Sequence, residues 1–283
     1  MFAHRPGDEM RSLLFVPGDR PDLFGKAAAS GADAVILDLE DSVAFESKAK
    51  ARDAVAACLG GRRTLPLLVR INAVSVEDDL NAVLPFRPEA IVLPKAEGAA
   101  SVAALAGRLN GVRLLPIATE TPRAVFGLGS YIDVAQHLIG LTWGAEDLPV
   151  AIGATSAREA DGRFTPPYEM LRALALFAAH AAAVPAIDTI YPDLKDLEGL
   201  RAYALRGRRD GFSGMLAVHP AQVPVINEAF SVSQAEIDWA RNVVAAFAGH
   251  HGAGAIQLDG RMLDRPHLLQ AEAILGQTGK VRE

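Results

Sequence analysis

Two carboxylates of this 283-residue chain stand where chemistry could be done: Glu120, in Thr119-Glu120-Thr121, and Asp147, in Gly144-Ala145-Glu146-Asp147. Each follows a short apolar run, and the two runs are consecutive in the chain. Side chains leaving neighbouring strand ends would meet in one place. With no His or Cys beside them, the pair suits a hard cation such as Mg²⁺, which takes one or two protein oxygens and keeps the rest of its octahedron for water and substrate. Either acid alone could equally cap a helix or pair with a loop cation, and it is their joint placement that favours the metal. Gly144 and Ala145 add backbone N–H groups that small side chains leave open. An anion pocket flanked by Gly144, Ala145 and Glu146 is therefore expected beside the cation.

Arg70 ends the run Leu67-Leu68-Val69, and its planar fork suits a carboxylate or an enolate oxygen. Pairing with Asp38 or Glu40 of the preceding run is compatible with that role, because a carboxylate partner would hold the guanidinium in place. Glu40 is counted with Arg70 among the expected catalytic groups on that ground. Lys95, in Leu93-Pro94-Lys95, invites a Schiff-base reading. The surrounding acids would raise rather than lower its pKa, so an ion pair with Glu40 or Glu120 is the expectation.

These groups share one kind of position. Apolar runs recur about every 25 residues, at Ser12–Val16, Ala34–Leu37, Leu67–Val69, Ala90–Leu93, Val112–Leu115, His137–Leu141, Ala186–Ile190 and Met215–Val218, and nearly all end in charged or hydrogen-bonding residues. Short continuous runs without period-2 alternation describe strands buried on both faces. Helical character fills the intervals Asp22–Ser30, Ser47–Leu59, Val76–Leu84, Ala99–Leu109, Thr165–Ala183 and Leu194–Arg206, the fifth opening with Thr165 as cap and Pro in its first turn. Eight such repeats predict an α/β fold, a (β/α)8 TIM barrel over residues 1–230, with polar strand ends lining its mouth. Residues 231–283 read as a C-terminal extension. It comprises a capping box at Ser233-Gln234-Ala235-Glu236 starting a helix to about Gly249, a Gly-rich hinge from Gly249 to Gly254, an extended piece at Ala255–Leu258, a lid motif and a terminal helix.

A net charge of −6 argues against nucleic acid as the principal partner, since phosphate binding wants a basic face. The single Cys58 cannot form an intrachain disulfide, and no apolar run approaches the roughly 18 residues of a membrane span. The N-terminal nine residues lack the apolar stretch of a signal peptide, so a soluble cytoplasmic protein is the expectation. No GxxxxGK[ST], HExxH or GxSxG pattern supports a P-loop, zinc-protease or serine-hydrolase reading.

The segments Arg11-Ser12-Leu13-Leu14-Phe15-Val16-Pro17-Gly18, Leu37-Asp38-Leu39-Glu40-Asp41, Val69-Arg70-Ile71-Asn72, Leu93-Pro94-Lys95, Glu120-Thr121 and Trp143-Gly144-Ala145-Glu146-Asp147-Leu148 resemble the signature series of the citrate lyase β-subunit-like proteins. These belong to the wider group of HpcH/HpaI-type aldolases and malyl-CoA lyases. The resemblance runs from about Arg11 to Ala229. It implies a Mg²⁺-dependent barrel that cleaves a C–C bond next to a thioester or an oxo acid. It also implies Glu120 and Asp147 as metal ligands, Arg70 and Glu120 as substrate contacts, and Arg20 and Lys26 as groups that could meet CoA phosphates.

Met262-Leu263-Asp264-Arg265-Pro266-His267 resembles the C-terminal motif of malyl-CoA and citramalyl-CoA lyases, in which an Asp reaches a neighbouring subunit's site in a trimer. That implies a homotrimer with Asp264 as acid/base. Read from the residues alone, Asp264 could instead start a helix two residues before Pro266. Three activities are compatible with the whole: a lyase acting alone on malyl-, citramalyl- or citryl-type CoA esters, the lyase subunit of a citrate lyase complex acting on a carrier-protein thioester, and a non-catalytic CoA-binding subunit.

Overall fold

The structure, a computed structural model, describes residues 10–250 and 254–280. The expected absence of a signal peptide, and residues 251–253 of the expected hinge, lie outside the described residues. Eight parallel strands follow in order: β1 (Ser12–Pro17), β2 (Ala34–Asp38), β3 (Leu67–Arg70), β4 (Ala90–Leu93), β5 (Arg113–Pro116), β6 (Leu141–Thr142), β7 (Ala186–Asp188) and β8 (Gly214–Ala217). They are hydrogen-bonded in the order β5-β4-β3-β2-β1-β8-β7-β6. The open edges meet where Ile139 N–H donates to Leu114 O (2.8 Å) and Ala118 N–H donates to Thr142 O (2.9 Å). That closes the (β/α)8 barrel.

Alternate residues of each strand serve two layers, which is why the runs are apolar throughout. Leu13, Ala34, Ile36, Leu68, Ala90, Val92, Leu115, Ile117, Ile187 and Leu216 fill the barrel interior. Leu14, Val35, Leu37, Val69, Ile91, Leu114 and Met215 pack outward among the helices. This parity decides where the charges go. Asp38 continues the inward series Ala34, Ile36, and Arg70 continues from Leu68, so both side chains stand over the packed interior at its C-terminal mouth. The register sets Asp38 opposite Arg70.

The helices covering the barrel are α1 (Pro21–Ala28), α2 (Lys48–Gly60), α3 (Val76–Val83), α4 (Ala99–Ala106), α5 (Pro122–Gly127), α6 (Leu148–Ile152), α7 (Pro166–Ala181), α8 (Leu197–Asp210) and α9 (Gln222–Phe230). Thr165 occupies the cap position of α7, but its side chain makes no cap bond, and Pro166 takes the first turn. The His137–Leu141 run is not one strand. Its start closes a 3₁₀ stretch over Leu128–His137, and only Leu141–Thr142 pairs as β6.

The chain divides into two compact units, the barrel ending at Phe230 and a C-terminal unit from Ser231. In the latter, α10 (Gln234–Ala248) starts with the capping box of Ser233 and Glu236. A hairpin of β9 (Ala255–Leu258) and β10 (Arg261–Asp264) leads into α11 (Arg265–Lys280). Ala240, Val243, Ile256, Leu263 and Ala271 form this unit's own core. No helix among the described residues is long and apolar enough to cross a membrane.

Candidate active site

Arg70 is the hub of the barrel mouth. Its Nε and Nη2 donate to the two carboxylate oxygens of Asp38 at 2.7 Å each, a fork-to-fork pair, and its ring-side face lies 4.9 Å from the centre of Phe15. Ser42 holds Asp38 in turn, donating through its hydroxyl (2.5 Å) and backbone N–H (3.1 Å). Burial works against the Asp38 charge, but these donors outweigh it and keep the carboxyl below its usual range. Arg70 Nη1 lies 3.0 Å from Glu40 Oε2. That buried oxygen receives no hydrogen bond, so the contact is one of charge rather than of N–H direction.

Glu40 also accepts from Lys95 Nζ at 2.7 Å, and Lys95 Nζ lies 3.6 Å from Asp147. The Lys95 N–H donates to Glu120 Oε2 at 2.5 Å. Burial opposes the Lys95 ammonium, but the Glu40 bond and the charges of Glu40, Asp147 and Glu120 push its pKa above the usual lysine range. The ion pair expected for Lys95 is therefore present with Glu40, and the environment is the opposite of the one a Schiff-base nucleophile needs.

Glu120 and Asp147 reach the same cavity by different routes. Past β5 the chain stays in the barrel wall, and the Thr119 hydroxyl donates to Gly144 O (2.8 Å) and accepts from Gly144 N–H (3.0 Å), stapling the two strand ends together. Thr121 then caps α5 by accepting from Ala124 N–H. Asp147 stands at the N-cap position of α6 but its side chain makes no cap bond, so capping does not account for it. Glu120 is 4% exposed, whereas the Asp147 side chain is 35% exposed. Burial first, then the nearby charges of Asp147 and Glu40, push the Glu120 pKa up to about 8. A buried carboxylate beside two others is a position that a bound cation would relieve, and the all-oxygen donor set fits a hard one. Among the described residues no cluster of three or more His, Cys, Asp or Glu side chains forms a metal cage. Two carboxylates with open coordination positions are what Mg²⁺ ordinarily takes.

The cavity, about 320 Å³, is bounded by Asp38, Asp41, Arg70, Glu120, Glu146 and Asp147 on its polar side and by Phe15, Ile117, Trp143, Ile190, Leu216 and Val218 elsewhere. The structure thus brings together Glu40, Arg70, Lys95, Glu120, Gly144 and Asp147. Gly144, Ala145 and Glu146, expected to flank an anion pocket, all line this cavity, with the Gly144 N–H bonded to the Thr119 hydroxyl. Gly144 also serves by lacking a side chain, since a Cβ there would come within 2.8 Å of Glu120 Cγ.

Arg20 and Lys26 are exposed, and Arg20 is held by the Asp22 carboxylate at 2.9 and 2.8 Å. Asp264 belongs to the C-terminal unit and directly precedes α11. Its Oδ1 lies 2.6 Å from His267 Nδ1, which also accepts the Asp264 N–H at 3.2 Å. Unforeseen in the sequence were the Thr119 staple, Ser42 and a buried cluster behind Trp143. The sequence signals for the last were Arg172, a lone cation inside an otherwise apolar stretch of α7, and Asp188, a charge inside the run Ala186–Ile190.

The profile of the HpcH/HpaI aldolase/citrate lyase family matches residues 11–220. A citrate lyase subunit beta-like protein of Mycobacterium tuberculosis is 40% identical over 275 residues, spanning 94% of this chain and 95% of its own length. A (3S)-malyl-CoA thioesterase of Cereibacter sphaeroides is 36% identical, spanning 94% of both chains. Among solved structures, the CitE protein of M. tuberculosis in complex with magnesium, acetoacetate and coenzyme A superposes with a TM-score of 0.84 at 36% identity, covering 95% of this chain and 98% of that one. A profile match over most of the barrel, near full-length relatives and a shared fold agree, and the chain belongs to the HpcH/HpaI aldolase/citrate lyase family.

Proposed function

We propose that the chain is a Mg²⁺-dependent carbon–carbon lyase that splits a malyl-, citramalyl- or citryl-type 3-hydroxyacyl-CoA into an acyl-CoA such as acetyl-CoA and an oxo acid. The observation that carries this reading is the convergence of Glu120 and Asp147 on one cavity with Arg70 also in its wall. The magnesium and coenzyme A bound by the M. tuberculosis CitE protein support it.

Glu120 and Asp147 would hold the metal, which would act as a Lewis acid on the substrate's oxygens and so lower the pKa of its hydroxyl. In the cleavage direction the hydroxyl proton leaves to solvent and its oxygen becomes the carbonyl of the oxo acid. The electron pair of the broken C–C bond passes to the thioester as an enolate. Arg70 would stabilise that enolate oxygen, while Asp38, paired with its Nε and Nη2, and Glu40, beside its Nη1, keep the guanidinium in place. A proton delivered to the enolate carbon completes the acyl-CoA. We assign that step to Asp264 of a neighbouring subunit in a homotrimer, on the resemblance of its tail motif. Arg20 and Lys26 are the proposed CoA-phosphate contacts, with Arg20 exchanging Asp22 for phosphate. The protein would work in the cytoplasm, without citrate lyase partner subunits.

The name of the Cereibacter relative favours a second reading, hydrolysis of a malyl thioester. Product analysis separates the two. Incubation of the purified chain with Mg²⁺ and malyl-CoA or citramalyl-CoA is expected to yield acetyl-CoA with glyoxylate or pyruvate. Free CoA with intact hydroxy acid would establish hydrolysis instead.

A further inference from the structure

Behind the cavity wall lies a polar cluster that takes no part in the proposed reaction. Asp188, the last residue of β7, is fully buried, and its Oδ1 accepts from Trp143 Nε1 (2.7 Å), the Tyr203 hydroxyl (2.9 Å) and Thr189 N–H (2.9 Å). Its Oδ2 accepts from Arg172 Nε (3.1 Å) and Nη2 (2.7 Å), and Arg172 Nη1 donates to Asp210 at 2.7 Å. Arg172 is 4% exposed and packs over the rings of Tyr203 and Phe212. A buried ion pair of this kind contributes little net stability compared with apolar residues of the same shape. What it does supply is direction, because each donor has one place to point.

The directions matter because of what the donors carry. Trp143 directly follows β6, lines the cavity and is followed immediately by Gly144, Ala145, Glu146 and Asp147. Thr189 lines the cavity from the next strand end. Two supports hold the β6 loop: Thr119 grips Gly144 from the β5 side, and Asp188 grips Trp143 from the β7 side. Trp143 also packs edge-to-face with Phe164, the ring centres 5.1 Å apart.

We propose that Asp188 is a positioning residue of the active site, acting through Trp143 to place the loop that carries Asp147. This rests on the reading of Asp147 as a metal ligand. Asp188→Asn alone is a poor probe, since it leaves Arg172 buried against a neutral partner and endangers the fold. Trp143→Phe and Tyr203→Phe form a better pair. Each removes one donor from the same Asp188 oxygen while keeping a ring, but only Trp143 continues into the metal-side loop.

The readout is Mg²⁺ affinity, by isothermal titration of the full-length chain with MgCl₂, alongside thermal melting to confirm folding. Wild type is expected to bind Mg²⁺, Trp143→Phe about tenfold more weakly, and Tyr203→Phe within about twofold of wild type. Affinity in Trp143→Phe within twofold of wild type would overturn the proposal. So would an equal loss in both variants, which would make the cluster a general support of the fold. Wild type binding no Mg²⁺ would overturn the metal assignment itself and the proposal with it.

Discussion

Lys95 and Glu120 are joined through the backbone of one and the side chain of the other: the Lys95 N–H donates to Glu120 Oε2 at 2.5 Å, from a left-handed conformation with φ of 52°. A non-glycine residue adopts that conformation at a cost of about 1 kcal/mol or more, and such strain gathers at functional sites. Here it aims the N–H at a buried carboxylate while the side chain turns the other way, to Glu40. One residue thereby orients one acid and neutralises another.

Lys95→Met tests the two jobs separately. The backbone bond to Glu120 survives, and the ammonium that stands 3.6 Å from Asp147 is gone. Mg²⁺ affinity is expected to rise a few-fold, because a competing cation has left the acid cluster. Stability is expected to fall by about 1–2 kcal/mol, since Glu40 loses a hydrogen-bonded counter-ion and Lys95 is itself only partly buried. Calorimetric titration and denaturant unfolding measure the two, and weaker Mg²⁺ binding would show that Lys95 supports the metal site through its side chain.

Gly144→Ala should damage the site more than the fold. The added Cβ meets Glu120 Cγ at 2.8 Å, Ile117 Cγ2 at 3.1 Å and Glu120 Oε1 at 3.2 Å, and Glu120 is the movable member. We expect at least a tenfold loss of Mg²⁺ affinity with a stability cost of about 1–2 kcal/mol, in the range for overpacking. Unaltered affinity in a folded variant would mean that the Glu120 position is not set by this contact.

The raised pKa of Glu120 gives a pH dependence with a definite sign. Its carboxyl titrates near 4.5 in an ordinary setting and at about 8 in the metal-free site, chiefly because it is buried. The folded chain therefore holds a proton that the unfolded chain releases. Stability from this group is present at low pH and is lost as pH rises from the ordinary value toward 8. Magnesium needs the ionised form, so its apparent affinity should climb with pH, by at most tenfold per unit, and level off above about pH 8. The Mg²⁺-induced rise in Tm should accordingly be larger at about pH 8.5 than at about pH 6.5. A flat or inverted trend would place the metal away from Glu120.

Much of this arrangement was legible in the sequence because barrel strands advertise themselves. Asp38 and Arg70 end runs buried on both faces, and period-2 parity alone sends them to the mouth. Glu120, Asp147 and Lys95 were legible by the same logic. The orientation of Gly144 was not, because whether a loop N–H faces the cavity or a neighbouring strand depends on a Thr119 contact across 25 residues of chain. Asp188 and Arg172 were hidden for a related reason. Asp188 sits on the helix-facing side of β7 and Arg172 on the buried face of α7, positions where the pattern calls for apolar residues, and only the packing of α7 and α8 over β7 brings the two together. The His137–Leu141 run was misleading because 3₁₀ and strand residues there are equally apolar.

Asp264→Asn examines the tail. The Oδ1 contact with His267 and the start of α11 are within reach of the amide, so folding and Mg²⁺ binding should be retained while turnover falls by about a hundredfold or more. If the residue acts on a neighbour, mixed oligomers of Asp264→Asn and Glu120→Gln should regain part of the lost activity, because some sites then combine an intact barrel with an intact tail. Hetero-oligomers verified by mass and still inactive would confine the tail to its own chain. Full activity in Asp264→Asn alone would leave it only the start of α11.

The proposed lyase activity requires a metal at Glu120 and Asp147. The most direct measurement is acetyl-CoA release from citramalyl-CoA or malyl-CoA as Mg²⁺ is titrated into EDTA-stripped wild type, Glu120→Gln and Asp147→Asn in parallel. Wild type should show no turnover without Mg²⁺ and saturable turnover with it, and each variant should need at least tenfold more Mg²⁺ or remain inactive. Turnover that persists in EDTA, or a Mg²⁺ dependence identical in all three proteins, would contradict it.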